Sequence, residues 1–182
     1  MRVSRILSII FLCICTFANA QTTVDVVYQH YDIFPKTVLD INAQIQKHSP
    51  FPPDQKQYQG KTEWQLTWHF KWQKIKGICF ISEFDNQLNV KITMPSIPAT
   101  HEAPSWVISR FERKYQNLLI HEHEHLKNSK NAANEVAKTL ENFYSFPDCA
   151  QLESSANQAI EAIIEQHKQY DKQFDQSTAY DG

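Results

Sequence analysis

Residues 118–126 read LLIHEHEHL, and this run predicts a helix that carries a metal site. At about 100° per residue, His121 and His125 lie about 40° apart on one helix face, one turn from each other. Two imidazole rings at this spacing can bind the same metal ion. His123 lies on the opposite face of the helix, so we do not expect it to be a ligand.

Two zinc motifs overlap within this run. Relative to the two outer histidines, Glu122 lies about 80° to one side and Glu124 about 80° to the other. The run therefore satisfies HExxH, with Glu122 as the general base, and equally the inverted HxxEH, with Glu124 in that role. In both motifs zinc takes two neutral imidazoles and a third protein ligand, and the remaining position takes a water whose pKa falls to about 7. The spacing alone does not choose between the two glutamates.

The two histidines fall on an apolar stripe with helical periodicity. The stripe consists of Phe111, Tyr115, Leu118, Ala132, Val136, Leu140 and Phe143. It predicts one amphipathic helix over about residues 105–144, with the histidines on its buried side. Buried histidines need polar partners, and a shared metal ion provides one. The alternative interpretation is an accidental motif on a solvated, charge-rich helix face.

The first twenty residues have the pattern of a secretory signal peptide. Arg2 and Arg5 form a positive n-region, residues 6–17 form a short apolar core, and the Ala-Asn-Ala triplet at 18–20 is a small-residue cleavage site. The apolar run is shorter than the roughly 20 residues that a membrane span needs. We therefore expect a secreted or periplasmic protein, cleaved after the triplet, without stable membrane insertion, and with a single mature domain over residues 21–182.

Charge and cysteine content narrow the class of protein further. The chain has 18 Lys and Arg against 20 Asp and Glu, and removal of the signal peptide with its two arginines leaves 16 against 20, a net charge of −4. Without a basic cluster, nucleic acid is not an expected partner. Cys79 and Cys149 are the cysteines of the mature chain. An even count in an oxidising compartment predicts one disulfide; two buried free thiols are the alternative.

The first half of the mature chain has the pattern of strands. Residues 22–31 are a Val/Tyr-rich strand candidate, and residues 37–47 have helical spacing. In residues 63–72, aromatic and aliphatic residues alternate with polar ones, which predicts a strand with one buried face. Turns expected at Gly77 and at Asp85-Asn86 then separate two further strands, 78–84 and 88–94. Together these segments predict an antiparallel meander.

The second half of the chain has the pattern of a helical hairpin. Pro147 separates the helix at 105–144 from a second one at about 148–174. If the turn is centred near residue 146, antiparallel helices bring His121 and His125 level with positions 167 to 171. His167 or Asp171 is then the candidate third ligand. The alternatives are a core histidine for His167 and a solvated or capping carboxylate for Asp171.

The order of these features resembles the DUF922 family, whose members are described as predicted secreted zinc-dependent proteases. The resemblance rests on the signal segment, the Trp-rich strand, Gly77-Ile78-Cys79, Met94-Pro95, LLIHEHEH, Cys149 and the segment 174-FDQST-178. It implies a zincin-like domain in which His121 and His125 are ligands and Glu122 is the base, as in HExxH. The tail has Tyr180 where the family pattern has a histidine, and Asp171 and Asp175 remain available as carboxylate ligands. Asp171 is the expected third ligand, with His167 or Asp175 as the alternatives.

These observations lead to one expected architecture and one expected function. The expected fold is α+β, a small antiparallel meander packed against a two-helix hairpin and tied by a Cys79–Cys149 disulfide. The expected function is that of an exported Zn²⁺ metallopeptidase acting on a peptide or protein substrate. The alternatives are a non-peptidase zinc amide hydrolase of the cell envelope and a non-catalytic secreted binding module with a structural or vestigial metal site.

Two finer expectations concern the substrate. The strand at Leu88–Met94, as an edge of the meander, is expected to pair with an extended peptide by strand addition. Tyr170 or Tyr180 is the candidate donor to the oxyanion.

Overall fold

The computed structural model describes residues 21–55 and 58–178, so the expected signal peptide and Tyr180 lie outside the described residues. The described part of the chain is an α+β fold, as expected. Its elements are β1 (Gln21–Asp32), α1 (Asp40–His48), a 3₁₀ turn (Pro53–Gln55), β2 (Lys61–Ile75), β3 (Ile78–Ser96), α2 (Ser105–Glu141) and α3 (Cys149–Ser177).

The three strands form a mixed sheet in the order β1-β3-β2. β2 and β3 are an antiparallel hairpin, whose turn at Lys76 and Gly77 has positive φ angles of 51° and 84°. β1 pairs with β3 in parallel over its whole length, from Gln21 opposite Asp85 to Asp32 opposite Ser96. The expectation of a purely antiparallel meander was therefore wrong. Alternation within one strand reports its buried face but not the direction of its neighbour.

The expected turn at Asp85-Asn86 was also wrong, because β3 continues through it as one strand of 19 residues. Asn86 is 1% exposed and faces the core, where its Nδ2 donates to the carbonyl of Ala133 at 3.0 Å. The segment Leu88–Met94 consequently lies in the central strand, paired with β1 over its whole length and with β2 up to Thr93. It cannot accept a further strand, so the expected site of strand addition was wrong as well.

The helical hairpin covers one face of this sheet, and the main core lies between them. α2 contributes Leu118, Ala133, Val136 and Leu140, α3 contributes Ala156 and Ile160, and β3 contributes Leu88, Val90, Ile92 and Met94. The apolar stripe expected on α2 is thus the face that packs on the sheet. A smaller cluster of Tyr31, Ile33, Ile41, Ile45, Val107 and Phe111 fixes α1 beside the start of α2.

The expected disulfide joins Cys79 and Cys149, whose Cα atoms are 5.3 Å apart. Cys79 and Phe146 also exchange two backbone hydrogen bonds, of 2.6 and 2.9 Å. The start of β3 is therefore fixed to the start of α3, and α3 runs back along α2. Within the described residues, no helix combines the length and the hydropathy that a membrane span requires.

Candidate metal centre

Three side chains of the hairpin converge on one point. Nε2 of His125 lies 2.8 Å from Oδ1 of Asp175 and 3.3 Å from Nε2 of His121. The distance between Oδ1 of Asp175 and Nε2 of His121 is 3.1 Å. Ligand atoms about 2.0 to 2.1 Å from a tetrahedral zinc ion lie about 3.3 Å from one another. The three separations are thus within about half an ångström of the spacing of zinc ligands, and two imidazoles with a carboxylate are a donor set that zinc accepts.

Asp171 fixes the orientation of the His125 ring. Nδ1 of His125 lies 2.8 Å from Oδ1 of Asp171. Because an ionised carboxylate only accepts hydrogen bonds, Nδ1 carries the proton in this contact. In the neutral ring Nε2 then has its lone pair free and directed at Asp175 and His121. A carboxylate behind the histidine is the usual partner of a metal-binding imidazole.

Thr178 and Phe174 fix the His121 ring in the same way. The Thr178 hydroxyl donates to the carbonyl of Phe174 at 2.7 Å, so its lone pair accepts from Nδ1 of His121 at 3.2 Å. The Phe174 ring stacks on His121, with centroids 4.8 Å apart, and meets His125 edge-on at 5.3 Å. Both imidazoles therefore present Nε2 to the same point.

The structure brings Asp175, rather than Asp171, to the two Nε2 atoms. Both carboxylate oxygens of Asp171 already accept hydrogen bonds: Oδ1 from His125 and from Nδ2 of Asn128 at 2.9 Å, and Oδ2 from Nε1 of Trp64 at 2.7 Å. Asp175 was the alternative third ligand in the sequence, and it is the carboxylate of the convergent group.

His167 lies away from this group. Its Nδ1 donates to Oδ1 of Asn128 at 2.6 Å, and its Nε2 lies 3.0 Å from Glu135. The expected register paired His121 with 171 and His125 with 167, whereas the observed pairs are 121 with 175 and 125 with 171. Side chains lean toward the N-terminus of their own helix, which moves the partner on an antiparallel helix to a higher number.

Glu122 lies beside the convergent group and is 3% exposed. Its Oε2 accepts from the Thr62 hydroxyl at 2.8 Å, and a Cβ at Gly60 would lie 2.9 Å from its Oε1. Burial raises the pKa of the carboxyl, and the hydrogen bond from Thr62 partly offsets that rise. A carboxylate whose pKa is raised toward neutrality is suited to accept and return a proton.

A polar cleft of about 250 Å³ opens over these groups. It is lined by Gln55, Tyr58, Gly60, Lys61, Thr62, Glu122, His125, Asp171 and Asp175. Glu124 forms a surface ion pair with Lys127 at 3.1 Å and does not belong to this lining. Among the described residues, Glu122 is thus the glutamate of the two overlapping motifs that shares a cleft with His125 and Asp175.

The side chains on the outer side of the hairpin take no part in this cleft. Nε2 of His123 lies 2.8 Å from the Tyr28 hydroxyl. Tyr170 is 49% exposed and stacks on Phe174 with an interplanar angle of 4°. Among the described residues that line the cleft, neither His123 nor Tyr170 is present, so the structure does not place Tyr170 where an oxyanion would form.

Comparison with known families accounts for most of the chain. The family model DUF922, described as a bacterial protein of unknown function, matches residues 28–182. The chain belongs to the DUF922 family. No curated protein and no solved structure matches it. The description of the matching family model names no activity, so the protease activity that the resemblance implies has to be argued from the geometry of the site.

The charges of the site favour a cation at the point of convergence. Burial lowers the pKa of His125, but its hydrogen bonds with Asp171 and Asp175 outweigh burial and raise the pKa to about 10. Burial raises the pKa of Asp175, but its hydrogen bonds with the two imidazoles outweigh burial and lower the pKa to about 2. Both directions have one cause, since the two carboxylates stabilise positive charge between them.

Several residues that build the site were not found by sequence reasoning. Thr62, Gly60 and Trp64 come from the segment before α2, and no spacing in the sequence relates them to it. Thr178 had only the family-like tail as a signal. Asn128 carried a usable signal, because it lies three residues after His125 and therefore on the same side of α2.

Proposed function

We propose that this DUF922 protein is an exported zinc-dependent metallopeptidase in which His121, His125 and Asp175 bind the ion and Glu122 is the general base. The observation that carries the proposal is the convergence of Nε2, Nε2 and Oδ1 at 2.8 to 3.3 Å. The separate anchoring of both Nδ1 atoms supports it further, because a ring held at Nδ1 offers Nε2 as its ligand atom.

The donor set favours a catalytic ion over a structural one. Structural zinc sites generally have four protein ligands, often cysteines, whereas catalytic sites have three and leave one position for water or substrate. Among the residues that the structure describes, the convergent group has three members, and both cysteines of this part of the chain are in the disulfide. That disulfide also supports the proposal of export, because disulfides persist in oxidising compartments.

Glu122 carries the proton transfers of amide hydrolysis, and the neighbouring residues hold the reacting groups in place. Thr62 holds Oε2 of Glu122, so Oε1 is the oxygen that takes the proton from the attacking water and later returns it to the leaving amine. Asp171 and Thr178 keep the two imidazoles from rotating. Zinc, when bound, supplies the Lewis acid that polarises the carbonyl and lowers the pKa of the attacking water to about 7.

The metal part of the proposal is tested by the zinc content of the purified mature protein. We expect one equivalent of zinc by mass spectrometry, with loss of the ion in His121→Ala and Asp175→Ala. His123→Ala is the matched control, because this histidine lies on the same helix turn but points to Tyr28. Wild-type protein that carries and takes up no zinc would reject the proposed function.

The catalytic part is tested by comparing Glu122→Gln with Glu124→Gln on a broad peptide library. Loss of a general base costs about 10² to 10⁴ in rate, so Glu122→Gln should keep zinc and lose turnover to that extent. Glu124→Gln should retain wild-type activity. Equal turnover in wild type and Glu122→Gln would reject the base and favour a non-catalytic metal site. Turnover of cell-wall amides without turnover of peptides would favour the amide hydrolase instead.

A further inference from the structure

Asn128 occupies a buried position between the two helices, one turn beyond His125. It is 6% exposed. Its Nδ2 donates to Oδ1 of Asp171 and to the carbonyl of His167, both at 2.9 Å, and its Oδ1 accepts from Nδ1 of His167 at 2.6 Å. Both amide protons and one oxygen lone pair of this side chain are therefore used.

These partners allow the amide only one orientation. Nδ2 faces two oxygens that only accept, so a flipped amide would place its own oxygen against a carboxylate and a carbonyl. His167 holds the opposite end, and its second ring nitrogen lies 3.0 Å from Glu135. The result is a continuous chain of contacts that runs from Glu135 on the surface through His167, Asn128 and Asp171 to His125.

Asp171 is fixed from two directions by this arrangement. Asn128 reaches it from α2, and the indole of Trp64 reaches its other oxygen from β2 at 2.7 Å. With both oxygens held, the carboxylate cannot rotate away from Nδ1 of His125. The orientation of His125 thus depends on residues that do not touch the point of convergence.

We propose that Asn128, together with Trp64, is a positioning residue that sets the affinity of the site for zinc by fixing Asp171 behind His125. The proposal rests on the metal site of the proposed function. Partners of this kind typically change metal affinity by about 10- to 100-fold when they are removed. We expect Asn128→Ala to weaken zinc binding about tenfold, and Asn128→Asp to weaken it more, because it sets one carboxylate against another.

The chain offers matched controls for both residues. Trp68 lies four residues further along the same face of β2 and donates from Nε1 to Oδ1 of Asn157 on α3 at 2.9 Å. This bond also joins β2 to α3, but Asn157 lies 18 residues from Asp175, or about 27 Å along the helix. Trp68→Phe and Asn157→Ala should therefore lower stability without changing zinc affinity, whereas Trp64→Phe should lower both.

The experiment measures the zinc dissociation constant of the full mature protein by competition with a chromogenic chelator. Alongside it, nitrogen-detected NMR of the histidine rings measures how fast the Nδ1 proton of His125 exchanges with solvent. We expect weaker binding and faster exchange in Asn128→Ala and Trp64→Phe, and neither change in Asn157→Ala and Trp68→Phe. If Asn128→Ala does not fold, the nearly isosteric Asn128→Asp takes its place.

Two results would overturn the proposal, and they differ from failure of the metal site. Equal zinc affinity in wild type and Asn128→Ala would remove the positioning role while the metal site stands. Equal weakening in Asn157→Ala would show that the effect follows general loss of stability. If the wild type binds no zinc, the proposed function and the effect on affinity fall together. Proton exchange in the metal-free protein would still decide whether Asn128 fixes Asp171.

Discussion

Gly60 limits where the Glu122 carboxylate can lie. A Cβ at this position would lie 2.9 Å from Oε1 of Glu122, closer than real Cβ contacts, and 3.0 Å from Sδ of Met94, which is tighter than most of them. The backbone of the loop before β2 therefore forms one wall against the carboxylate, and Thr62 forms another through its hydrogen bond. At the scale of single residues, the position of the proposed base depends on the absence of one methyl group.

We expect Gly60→Ala to lower kcat/KM of the proposed hydrolysis about 10- to 100-fold while zinc remains bound, since small displacements of a catalytic group have effects of this size. Steady-state kinetics on the best library peptide, with zinc content measured in the same sample, checks this expectation. Gly77→Ala is the control: its φ of 84° makes the substitution strained, but no atom lies within 4 Å of its Cβ. Full activity in Gly60→Ala would show that Glu122 has room to move.

The spacing of the two histidines proposed as ligands was predictable from the sequence, but the carboxylate that lies beside them was not. The turn-by-turn spacing of His121 and His125 follows from helix geometry alone, and it holds in α2. The choice between Asp171 and Asp175, one turn apart on α3, depends on the lean of the side chains and on the partners that Trp64 and Asn128 give to Asp171. Those are contacts between elements, which spacing within one helix does not contain.

At the scale of elements, local pattern predicted what each segment is but not how the strands are ordered. Alternation over residues 63–72 gave β2, and helical periodicity gave α2 and α3 to within a few residues of their observed bounds. The parallel pairing of β1 with β3 joins segments far apart in the chain, so no local signal reports it. Asn86 resembled a turn residue because asparagine is polar and common in turns. In the structure it lies within β3, and its buried side chain donates to the α2 carbonyl of Ala133.

The disulfide holds two elements together at the end of the hairpin remote from the site. It closes a loop with a sequence separation of 70, which corresponds to about 4 kcal/mol of stabilisation on the chain-entropy model. We expect the double variant Cys79→Ala/Cys149→Ala to lose roughly this amount in urea unfolding.

Zinc affinity in this variant should change little, because Cys149 and Asp175 are 26 residues apart on α3, about 39 Å along the helix. The matched comparison is wild-type protein before and after reduction, which leaves both side chains in place. A fall in zinc affinity as large as the fall in stability would contradict the separation of the two ends.

At the scale of the whole molecule, the charges at the site link folding to pH. Without metal, His125 has a folded pKa of about 10 against 6.5 for the free side chain. A raised histidine pKa stabilises the fold fully below pH 6.5, and this contribution is lost as the pH rises through 10. Asp175, whose pKa is lowered to about 2 from 3.8, contributes above pH 3.8 and loses its contribution as the pH falls through 2.

We therefore expect His125 and Asp175 to stabilise the metal-free wild type most between about pH 4 and 6.5. At pH 6 the free energy of unfolding of the metal-free wild type should exceed that of metal-free His125→Gln. This difference should be smaller at pH 9.5. Urea unfolding in the presence of a chelator measures it. His123→Gln, on the opposite face of α2, serves as the control. Its free energy of unfolding should differ little from that of wild type at pH 6 and at pH 9.5. A His125→Gln difference that is constant with pH would contradict the charge assignment.

The sequence separation of 54 between His121 and Asp175 also bears on when, during biosynthesis, the proposed ion can be taken up. At synthesis rates of about 5 to 20 residues per second, they separate the two ligands by about 3 to 11 s. During that interval a growing chain offers the histidines of α2 alone, and a pair of imidazoles is an incomplete site. Capture of the proposed ion would then belong to the last stage of maturation, after α3 has folded back along α2.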